Sequence, residues 1–467
     1  HEGMPNEREL RYHEARAKGG FGLIVMGAAA VNPHSWIIPE GHKGYLDEII
    51  PWYKRYSEAV HAHGAKLMIQ AWHNGHQNSG FWSNVNSQCA SQIPSAGQGE
   101  VPAVMDENDI QQAVKDYADF AVRCQKGGLD GVEIHCAHGY LPQQFLSPYS
   151  NIRKDKYGGS LENRMRFSME LIDAMREAVG EDFVLGMRII GDELVRVGLT
   201  LDDMKEIAPI WAQTGKVDYL NISGGTYRSV APFVGPMMLP PRPFVFLAAE
   251  IKQVVDIPVI AAVRINEPSM ANDIIKNNEA DMVTMTRATL CDPDLPNKAR
   301  EGRLDDIRQC IACNEGCWER WAHQSPITCM QNPEAGREGV FGIEPAARPK
   351  KVMVIGGGCA GMEAAVVAKQ RGHDVTLYEK AEELGGAILI PAKAPSRQEL
   401  GQAVRFLKHE VERLGVEVHL ATDVTADMVL KENPDAVIMA TGATTIEDPA
   451  PDVVGPYASI EIEQGAD

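Results

Sequence analysis

Four cysteines lie close together in the second half of the chain: Cys310, Cys313, Cys317 and Cys329. Two, three and eleven residues separate successive members, so three thiols can share one tight loop while the fourth closes from a second segment. Such a set can hold one iron–sulfur cube. Structural zinc is the alternative, but it usually takes two well-separated tight pairs, and only one tight pair occurs here. The spacing predicts a metal or cluster site and favours 4Fe-4S.

A glycine-rich turn follows the apolar run VMVI and opens a helical pattern. It contains Gly356, Gly358 and Gly361, and Glu379 ends the next predicted strand. Glycines let the backbone approach a pyrophosphate at a helix N-terminus, and the acid can accept from a ribose hydroxyl. The pattern predicts dinucleotide binding. The turn alone leaves FAD, ADP and NAD open, while ELGG and MATGA further on look like the FAD type.

A third group of reactive side chains lies in the segment EIHCAHGYLPQQFLSP. His135, His138 and Tyr140 follow the end of a predicted strand, where the active sites of parallel barrels lie. Two imidazoles can donate hydrogen bonds to a carbonyl or enolate oxygen, and a phenol can deliver a proton. We interpret these three residues as candidate catalytic groups.

Four further polar residues end other predicted strands. Arg264 and Arg287 follow the last two strands, where barrels commonly bind phosphate. Gln70 and Arg188 end earlier strands, where they can hydrogen-bond the pyrimidine edge of a flavin. Salt bridges at the rim of the barrel are the alternative role for each.

The elements that must position these groups are βα units. From residue 7 to 300, helical patterns alternate with seven short apolar runs, which begin at Gly22, Lys66, Gly131, Phe183, Asp218, Pro258 and Asp281. An amphipathic helix from about Glu7 to Lys18 precedes the first run and has no strand before it. We therefore predict an α/β fold, a (β/α)8 TIM barrel that lacks its first strand.

Three domains follow from this pattern. We predict a flavin-binding TIM barrel over residues 1–305, a 4Fe-4S cluster segment and linker over 306–349, and a partial Rossmann-like dinucleotide-binding domain for FAD or NAD(P) over 350–467. The chain opens with His1 and closes soon after an expected strand, so we interpret it as a fragment that is truncated at both ends.

Composition narrows the class of partner. The chain has 467 residues, 44% of them hydrophobic, and a net charge of -19. This charge argues against nucleic acid as a partner, and no apolar run is long enough for a membrane span. No signal peptide is evident, so we expect a cytoplasmic protein that binds a small molecule. The oligomeric state stays open.

The motifs HCAHGYLPQQFLSP and YGGSLENRMRF, together with the four-cysteine spacing, resemble the iron–sulfur flavoenzymes of the Old Yellow Enzyme superfamily. That group includes reductases of the 2,4-dienoyl-CoA reductase and NADH:flavin oxidoreductase types and dehydrogenases of the trimethylamine type. The resemblance implies FMN in the barrel, a 4Fe-4S cluster after it, FAD or ADP at the glycine-rich turn, and NAD(P)H as electron donor.

The resemblance also assigns roles to single residues. His135 and His138 would bind the substrate, Tyr140 would donate a proton, and FMN would be held by Ala28, Gln70, Arg188, Arg264, Thr286 and Arg287. Glycine is common in the family where Val263 and Thr286 stand here. The family's first barrel strand and a nicotinamide-binding insertion expected beyond Ala443 are missing.

These residues favour NAD(P)H-linked reduction of an activated C=C bond of the enoate or dienoyl type. Oxidative demethylation or dehydrogenation of a methylated amine is the alternative, because Trp321 can face a methylated ammonium. Trp318 and Trp321 can equally pack over the cluster. A non-catalytic electron-transfer protein is the third reading.

Overall fold

A computed structural model describes residues 3–35, 41–97 and 99–443. Its strands, numbered in chain order, are β1 Leu23–Ala30, β2 His42–Lys43, β3 Lys66–Trp72, β4 Gln88–Cys89, β5 Ala103–Val104, β6 Gly131–Cys136, β7 Val184–Ile190, β8 Tyr219–Ser223, β9 Val259–Ala261, β10 Met282–Val283, β11 Lys351–Ile355, β12 Asp374–Tyr378, β13 Glu417–His419 and β14 Ala436–Met439.

The α-helices are α1 Glu7–Lys18, α2 Ile50–His61, α3 Gly80–Ser83, α4 Glu107–Lys126, α5 Leu141–Leu146, α6 Leu161–Val179, α7 Leu201–Gln213, α8 Val230–Val234, α9 Val245–Lys252, α10 Pro268–Lys276, α11 Thr286–Cys291, α12 Leu295–Arg300, α13 Arg320–Ala322, α14 Cys359–Gln370, α15 Leu400–Arg413 and α16 Ala426–Glu432.

The chain divides into two compact units. Among the described residues, the first unit contains those up to residue 344 together with 389–413, and the second contains 345–388 and 414–443. The three predicted domains stay a prediction. The segment 389–413, which the sequence pattern places in the third domain, groups with the first unit. The expected site of the nicotinamide-binding insertion lies outside the described residues.

The first unit is built on one parallel sheet of eight strands in the order β10-β9-β8-β7-β6-β3-β1-β2. Seven of them coincide with the predicted apolar runs, and the two-residue β2 is the addition. Parallel strands are buried on both faces, which explains why they read as continuous apolar runs. In the described part of the chain, no strand pairs β10 with β1 or β2. The predicted α/β barrel type with an incomplete circle is therefore confirmed.

Local signals set the helix ends. Asn6 caps α1 by accepting from the backbone N–H of Glu9 at 3.1 Å, and Ser160 caps α6 by accepting from that of Asn163 at 3.3 Å. Gly180 ends α6 with a φ of 75°, a conformation that favours glycine. The predicted cap and end of α6 are confirmed.

The second unit contains a four-stranded parallel sheet in the order β13-β12-β11-β14, with α14 connecting β11 to β12. This order and the strand–turn–helix start match a Rossmann-like domain. Separately, none of the helices described across both units has the length and apolar content that crossing a bilayer requires.

Gly186 in β7 provides a test of the barrel packing. A Cβ atom there would lie 2.1 Å from Cζ of Tyr219, whose phenol crosses β7 to reach the neighbouring strand β6. We expect Gly186→Ala to lower the free energy of unfolding by about 1–3 kcal/mol, the usual effect of overpacking. Urea denaturation measures it.

The matched control is Gly22→Ala, because a Cβ atom at Gly22 meets nothing within 4 Å. This variant should stay within about 0.5 kcal/mol of the wild type. Equal effects of the two substitutions would contradict the described packing.

Candidate active site and cysteine loop

The end of strand β6 and the loop after it position the three candidate catalytic residues. His135 belongs to β6, and Tyr140 is the N-cap of α5. Between them His138 and Gly139 adopt φ values of 59° and 84°, which turn the loop back towards the strand. The loop thereby brings all three side chains to one end of the barrel.

These three side chains are in contact. The ring of His135 lies 5.1 Å from that of His138 and 4.6 Å from that of Tyr140, measured between centroids. The Nε2 atom of His138 lies 2.9 Å from Oγ of Ser223, and the Tyr140 hydroxyl lies 3.1 Å from the Tyr227 hydroxyl. The structure thus brings together the trio predicted from the sequence.

The His135 ring has an unused polar atom. Its Nδ1 is buried and has no hydrogen-bond partner among the described residues. Leaving a buried polar group without a partner is unfavourable by about 1–3 kcal/mol. The His135 Nδ1 atom is therefore suited to a ligand that forms a hydrogen bond with it.

Burial sets the protonation states of the trio. It lowers the pKa of His135 and of His138 well below the ordinary value, and the charge of Arg188 acts in the same direction. Burial, followed by the neighbouring Tyr227, raises the pKa of Tyr140 well above the usual value. At neutral pH the site therefore holds two uncharged imidazoles and one protonated phenol, a set that can bind a carbonyl oxygen and supply a proton.

A polar network joins Gln70 to Arg188 at the same end of the barrel. Gln70 donates to Glu133 at 2.6 Å, and Arg188 donates to Asn221 at 2.9 Å. Asn221 donates in turn to Glu133 at 3.0 Å. Ala28, the β1 residue assigned to the flavin site by resemblance, packs against the cluster of Trp72 and Tyr140.

The two predicted phosphate-binding arginines converge on Gly235. A Cβ atom there would lie 3.1 Å from Nη2 of Arg287 and 3.2 Å from Cγ of Arg264. In this structure Arg264 pairs with the carboxylate of Glu399, and Arg287 donates to the Gly235 carbonyl at 2.9 Å. Their contact with a phosphate stays a prediction.

Thr286, the remaining residue that the resemblance assigns to FMN, is exposed at the start of α11. Its side chain therefore stays accessible to a ligand.

The four candidate metal ligands line one cavity. Cys310, Cys313, Cys317 and Cys329 all face it, and none forms a disulfide. Gly316 allows the two segments to approach, because a Cβ atom there would lie 2.9 Å from Cα of Cys329. The structure therefore brings the four predicted thiols together.

A fifth cysteine adjoins this set. Cys291, interpreted from the sequence as an ordinary core residue, is buried, and its thiol lies beside that of Cys329. Only the fold places it there, since it lies far outside the spaced motif.

The glycine-rich turn of the second unit is equally close-packed. A Cβ atom at Gly361 would lie 1.8 Å from the carbonyl oxygen of Gly356, which itself has a φ of 108°. Gly358 is the N-cap of α14, and a Cβ atom there would lie 4.0 Å from the carbonyl oxygen of Gly385. Glu379 accepts from the backbone N–H of Gly357 at 2.6 Å, so the predicted acid lies against the turn.

Several residues of the barrel site were missed by sequence reasoning. Glu133 is one, although its place two residues before His135 in an alternating strand puts both on one face. Tyr227 is another, and its position just after β8 was the available signal.

Comparison with known proteins is consistent with these sites. Residues 1–306 match the NADH:flavin oxidoreductase / NADH oxidase family, and residues 350–462 match the pyridine nucleotide-disulphide oxidoreductase family. An N,N-dimethylglycine/sarcosine dehydrogenase of Chromohalobacter salexigens is 40% identical over 454 residues, 94% of this chain and 65% of that protein. An NADH oxidase of Thermoanaerobacter brockii is also 40% identical, over 95% of this chain and 69% of its own length.

One solved structure is similar to this chain over nearly its whole length. The 2-naphthoyl-CoA reductase complex with 2-naphthoyl-CoA superposes with a TM-score of 0.91 at 31% identity, covering 96% of this chain and 70% of that one. The chain therefore spans roughly two thirds of the length of these proteins.

The neutral state of His138 predicts a pH dependence. The unfolded chain binds protons on histidine below about pH 6.5, whereas the buried ring does not, so the free energy of unfolding should fall as the pH drops from there. His138→Asn should reduce that slope by up to about 1.4 kcal/mol per pH unit. Urea unfolding between about pH 4.5 and 7.5 measures it.

His63→Asn serves as the control, because the His63 side chain is exposed and lies outside the trio. A His138→Asn slope equal to that of the wild type would show that the ring is charged in the folded protein.

Proposed function

This chain belongs to the NADH:flavin oxidoreductase / NADH oxidase family, and we propose that it reduces a C=C bond conjugated to a carbonyl group, with NAD(P)H as electron donor. The observation that carries the proposal is the buried trio of His135, His138 and Tyr140. It offers two neutral imidazoles and a protonated phenol, and the His135 ring lies 5.1 Å from the His138 ring and 4.6 Å from the Tyr140 ring.

The barrel end fits a flavin. Gln70 and Arg188 offer an amide and a guanidinium to the edge of a pyrimidine ring, and His135 has a buried nitrogen without a partner. A bound FMN, once reduced, supplies a hydride. In the second unit, the turn at Gly356 and the acid Glu379 suit the pyrophosphate and ribose of FAD or NAD.

The cysteine loop fits a 4Fe-4S cluster. Its four thiols line one cavity, and none of them forms a disulfide. Such a cluster supplies single-electron transfer when bound. The two tryptophans near it, Trp318 and Trp321, have ring centroids 4.9 Å apart and planes tilted by 34° to each other.

The protein groups divide the reaction between them. The N–H groups of His135 and His138 donate to the carbonyl oxygen of the substrate and stabilise the enolate as charge develops there. Tyr140 gives its proton to the α-carbon when hydride reaches the β-carbon. The product is the saturated carbonyl compound, and the tyrosinate regains its proton from solvent. Hydride and proton together account for the two hydrogens added.

A positive charge beside the loop supports a substrate that carries a carboxylate. Arg228 lines a cavity together with His76 and Gly139, and no described carboxylate lies within salt-bridge distance of its guanidinium. Burial, with the charge of Arg228 as a further cause, lowers the pKa of His76 to about 4. The carboxylate of Glu193 also lines this cavity, but Ser147 and the backbone N–H of Leu199 already donate to it. Arg228 is therefore the charge available to a ligand there, which favours an enoate over a simple ammonium ion.

A second function, oxidation of a methylated amine, is favoured by a row of aromatic rings. Successive centroids are 6.0, 5.3, 5.3 and 4.9 Å apart along Tyr140, Tyr227, Phe233, Trp318 and Trp321. Ring faces attract methylated ammonium groups. The related dehydrogenase of Chromohalobacter salexigens bears the name of such substrates.

Tyr140→Phe tests the proton-transfer step. The variant keeps the ring contacts with Trp72 and His135 but loses the hydroxyl. Flavin reduction by NAD(P)H should be unchanged, because it needs no proton from this residue. Reoxidation by an enone should slow by roughly two to four orders of magnitude, as expected when a general acid is removed. Anaerobic stopped-flow absorbance separates the two half-reactions.

Tyr157→Phe is the control, a buried tyrosine that hydrogen-bonds Glu170 and lies outside the trio. It should reoxidise at the wild-type rate. If Tyr140→Phe also reoxidises at that rate, Tyr140 is not the proton donor.

Gly316→Ala tests the cysteine loop. The added Cβ atom would push the segment of Cys329 away from the other three thiols. We expect most of the iron, about four atoms per chain in the wild type, to be lost. Gly342→Ala is the control, since nothing lies within 4 Å of a Cβ atom there. Iron and sulfide analysis measures the outcome, and zinc without sulfide in the wild type would rule out the cluster.

A further inference from the structure

We propose that Glu133 is a positioning residue for the flavin site. Its carboxylate fixes the amide orientation of Gln70 and, through Asn221, the guanidinium of Arg188. The mouth of the barrel thereby offers one acceptor and one donor to the imide edge of the flavin pyrimidine. This inference rests on the flavin binding that the proposed function includes.

The carboxylate is completely buried and fully hydrogen-bonded. Glu133 has 0% of its surface exposed. Its Oε1 accepts from Gln70 Nε2 at 2.6 Å, and its Oε2 accepts from the Tyr219 hydroxyl at 2.9 Å and from Asn221 Nδ2 at 3.0 Å. Burying a carboxylate is unfavourable unless donors surround it, so these three groups are held in place by the charge they solvate.

The sheet is built to allow this arrangement. Glu133 in β6 pairs with Gly186 in β7, and Gly186 pairs with Tyr219 in β8. Because Gly186 has no side chain, the phenol of Tyr219 can extend across β7 to the carboxylate. A missing side chain on the middle strand thus lets strands on either side of it share one hydrogen bond.

An ionised carboxylate can only accept hydrogen bonds, and this dictates which way its neighbours face. Gln70 must turn its NH2 group to Glu133, which leaves its Oε1 as the atom that can accept from a ligand. Asn221 must do the same, so that its Oδ1 is the atom that accepts from Arg188 Nη1 at 2.9 Å.

A flavin imide edge presents an N–H group between two carbonyl oxygens. Gln70 Oε1 is suited to the N–H group, and Arg188 is suited to a carbonyl oxygen. The Gln70 acceptor and the Arg188 donor are thus both oriented by the buried charge of Glu133, which does not itself contact the ligand.

The same charge compensates that of the guanidinium. Burial lowers the pKa of Arg188, and the carboxylate of Glu133 acts in the opposite direction. Removal of the negative charge would leave Arg188 uncompensated beside the flavin, which favours an anionic reduced ring. Loss of the charge should therefore raise the midpoint potential.

The test is Glu133→Gln in the full chain, with FMN and N3-methyl-FMN as the two ligands. The new amide carries a donor, so Gln70 can turn round and present NH2 to the imide N–H. We expect the dissociation constant for FMN to rise about ten-fold. We also expect the wild-type preference for FMN over the methylated ligand to fall towards unity, and the midpoint potential to rise.

Two variants separate positioning from general destabilisation. Glu193→Gln changes another buried carboxylate, one that accepts from Ser147 and the Leu199 N–H, and it should leave affinity and preference within about two-fold. Glu133→Asp keeps an acceptor-only group and should restore the preference. If Glu133→Gln does not fold, loss of the preference in Glu133→Asp overturns the proposal.

In the Gln70→Ala background, Glu133→Gln should have no further effect on the preference between the ligands. An unchanged preference and potential in folded Glu133→Gln would overturn the inference while leaving the proposed function intact. A wild-type chain that binds no FMN would overturn both.

Discussion

One buried carboxylate, that of Glu133, connects the polar side chains at the end of the barrel where the candidate site lies. Glu133 is fully buried, and the three groups that donate to it come from two other strands of the sheet: Gln70 from β3, and Tyr219 and Asn221 from β8. The glycine at 186 is required for one of these contacts. These three hydrogen bonds to one buried charge hold together the part of the candidate site that contains Gln70 and Asn221.

Burial also sets the protonation states of the trio His135, His138 and Tyr140. Burial keeps His135 and His138 uncharged and Tyr140 protonated. In the proposed reaction the two imidazoles would donate hydrogen bonds to the carbonyl oxygen, which is more negative in the enolate than in the substrate, so they would stabilise the enolate more than the substrate. The cysteine loop, residues 310–329, depends on close backbone packing instead. Because Gly316 has no side chain, the backbone around it can lie against the segment of Cys329.

Much of this organisation could be predicted from the sequence. The seven barrel strands are continuous apolar runs, and the Cys310–Cys329 spacing and the His135–Tyr140 loop are local in sequence. The family resemblance is confirmed by the match over residues 1–306.

Contacts between distant parts of the chain could not be predicted. Glu399 meets Arg264 across 135 residues, and Tyr227 meets Tyr140 across 87. Cys291 reaches Cys329 only through folding. The role of Glu133 could not be predicted for another reason. A single acid in an apolar strand does not indicate which donors the neighbouring strands place against it.

The direction of electron flow is the most direct test of the proposed function. Under anaerobic conditions, enzyme reduced by NADH is mixed with cinnamate or 2-cyclohexenone, and oxidised enzyme is mixed with N,N-dimethylglycine, while flavin absorbance is followed. The account predicts that the unsaturated compounds reoxidise the flavin and yield saturated products, and that the amine leaves the oxidised flavin unchanged. Bleaching by the amine, with no reoxidation by either unsaturated compound, would contradict it.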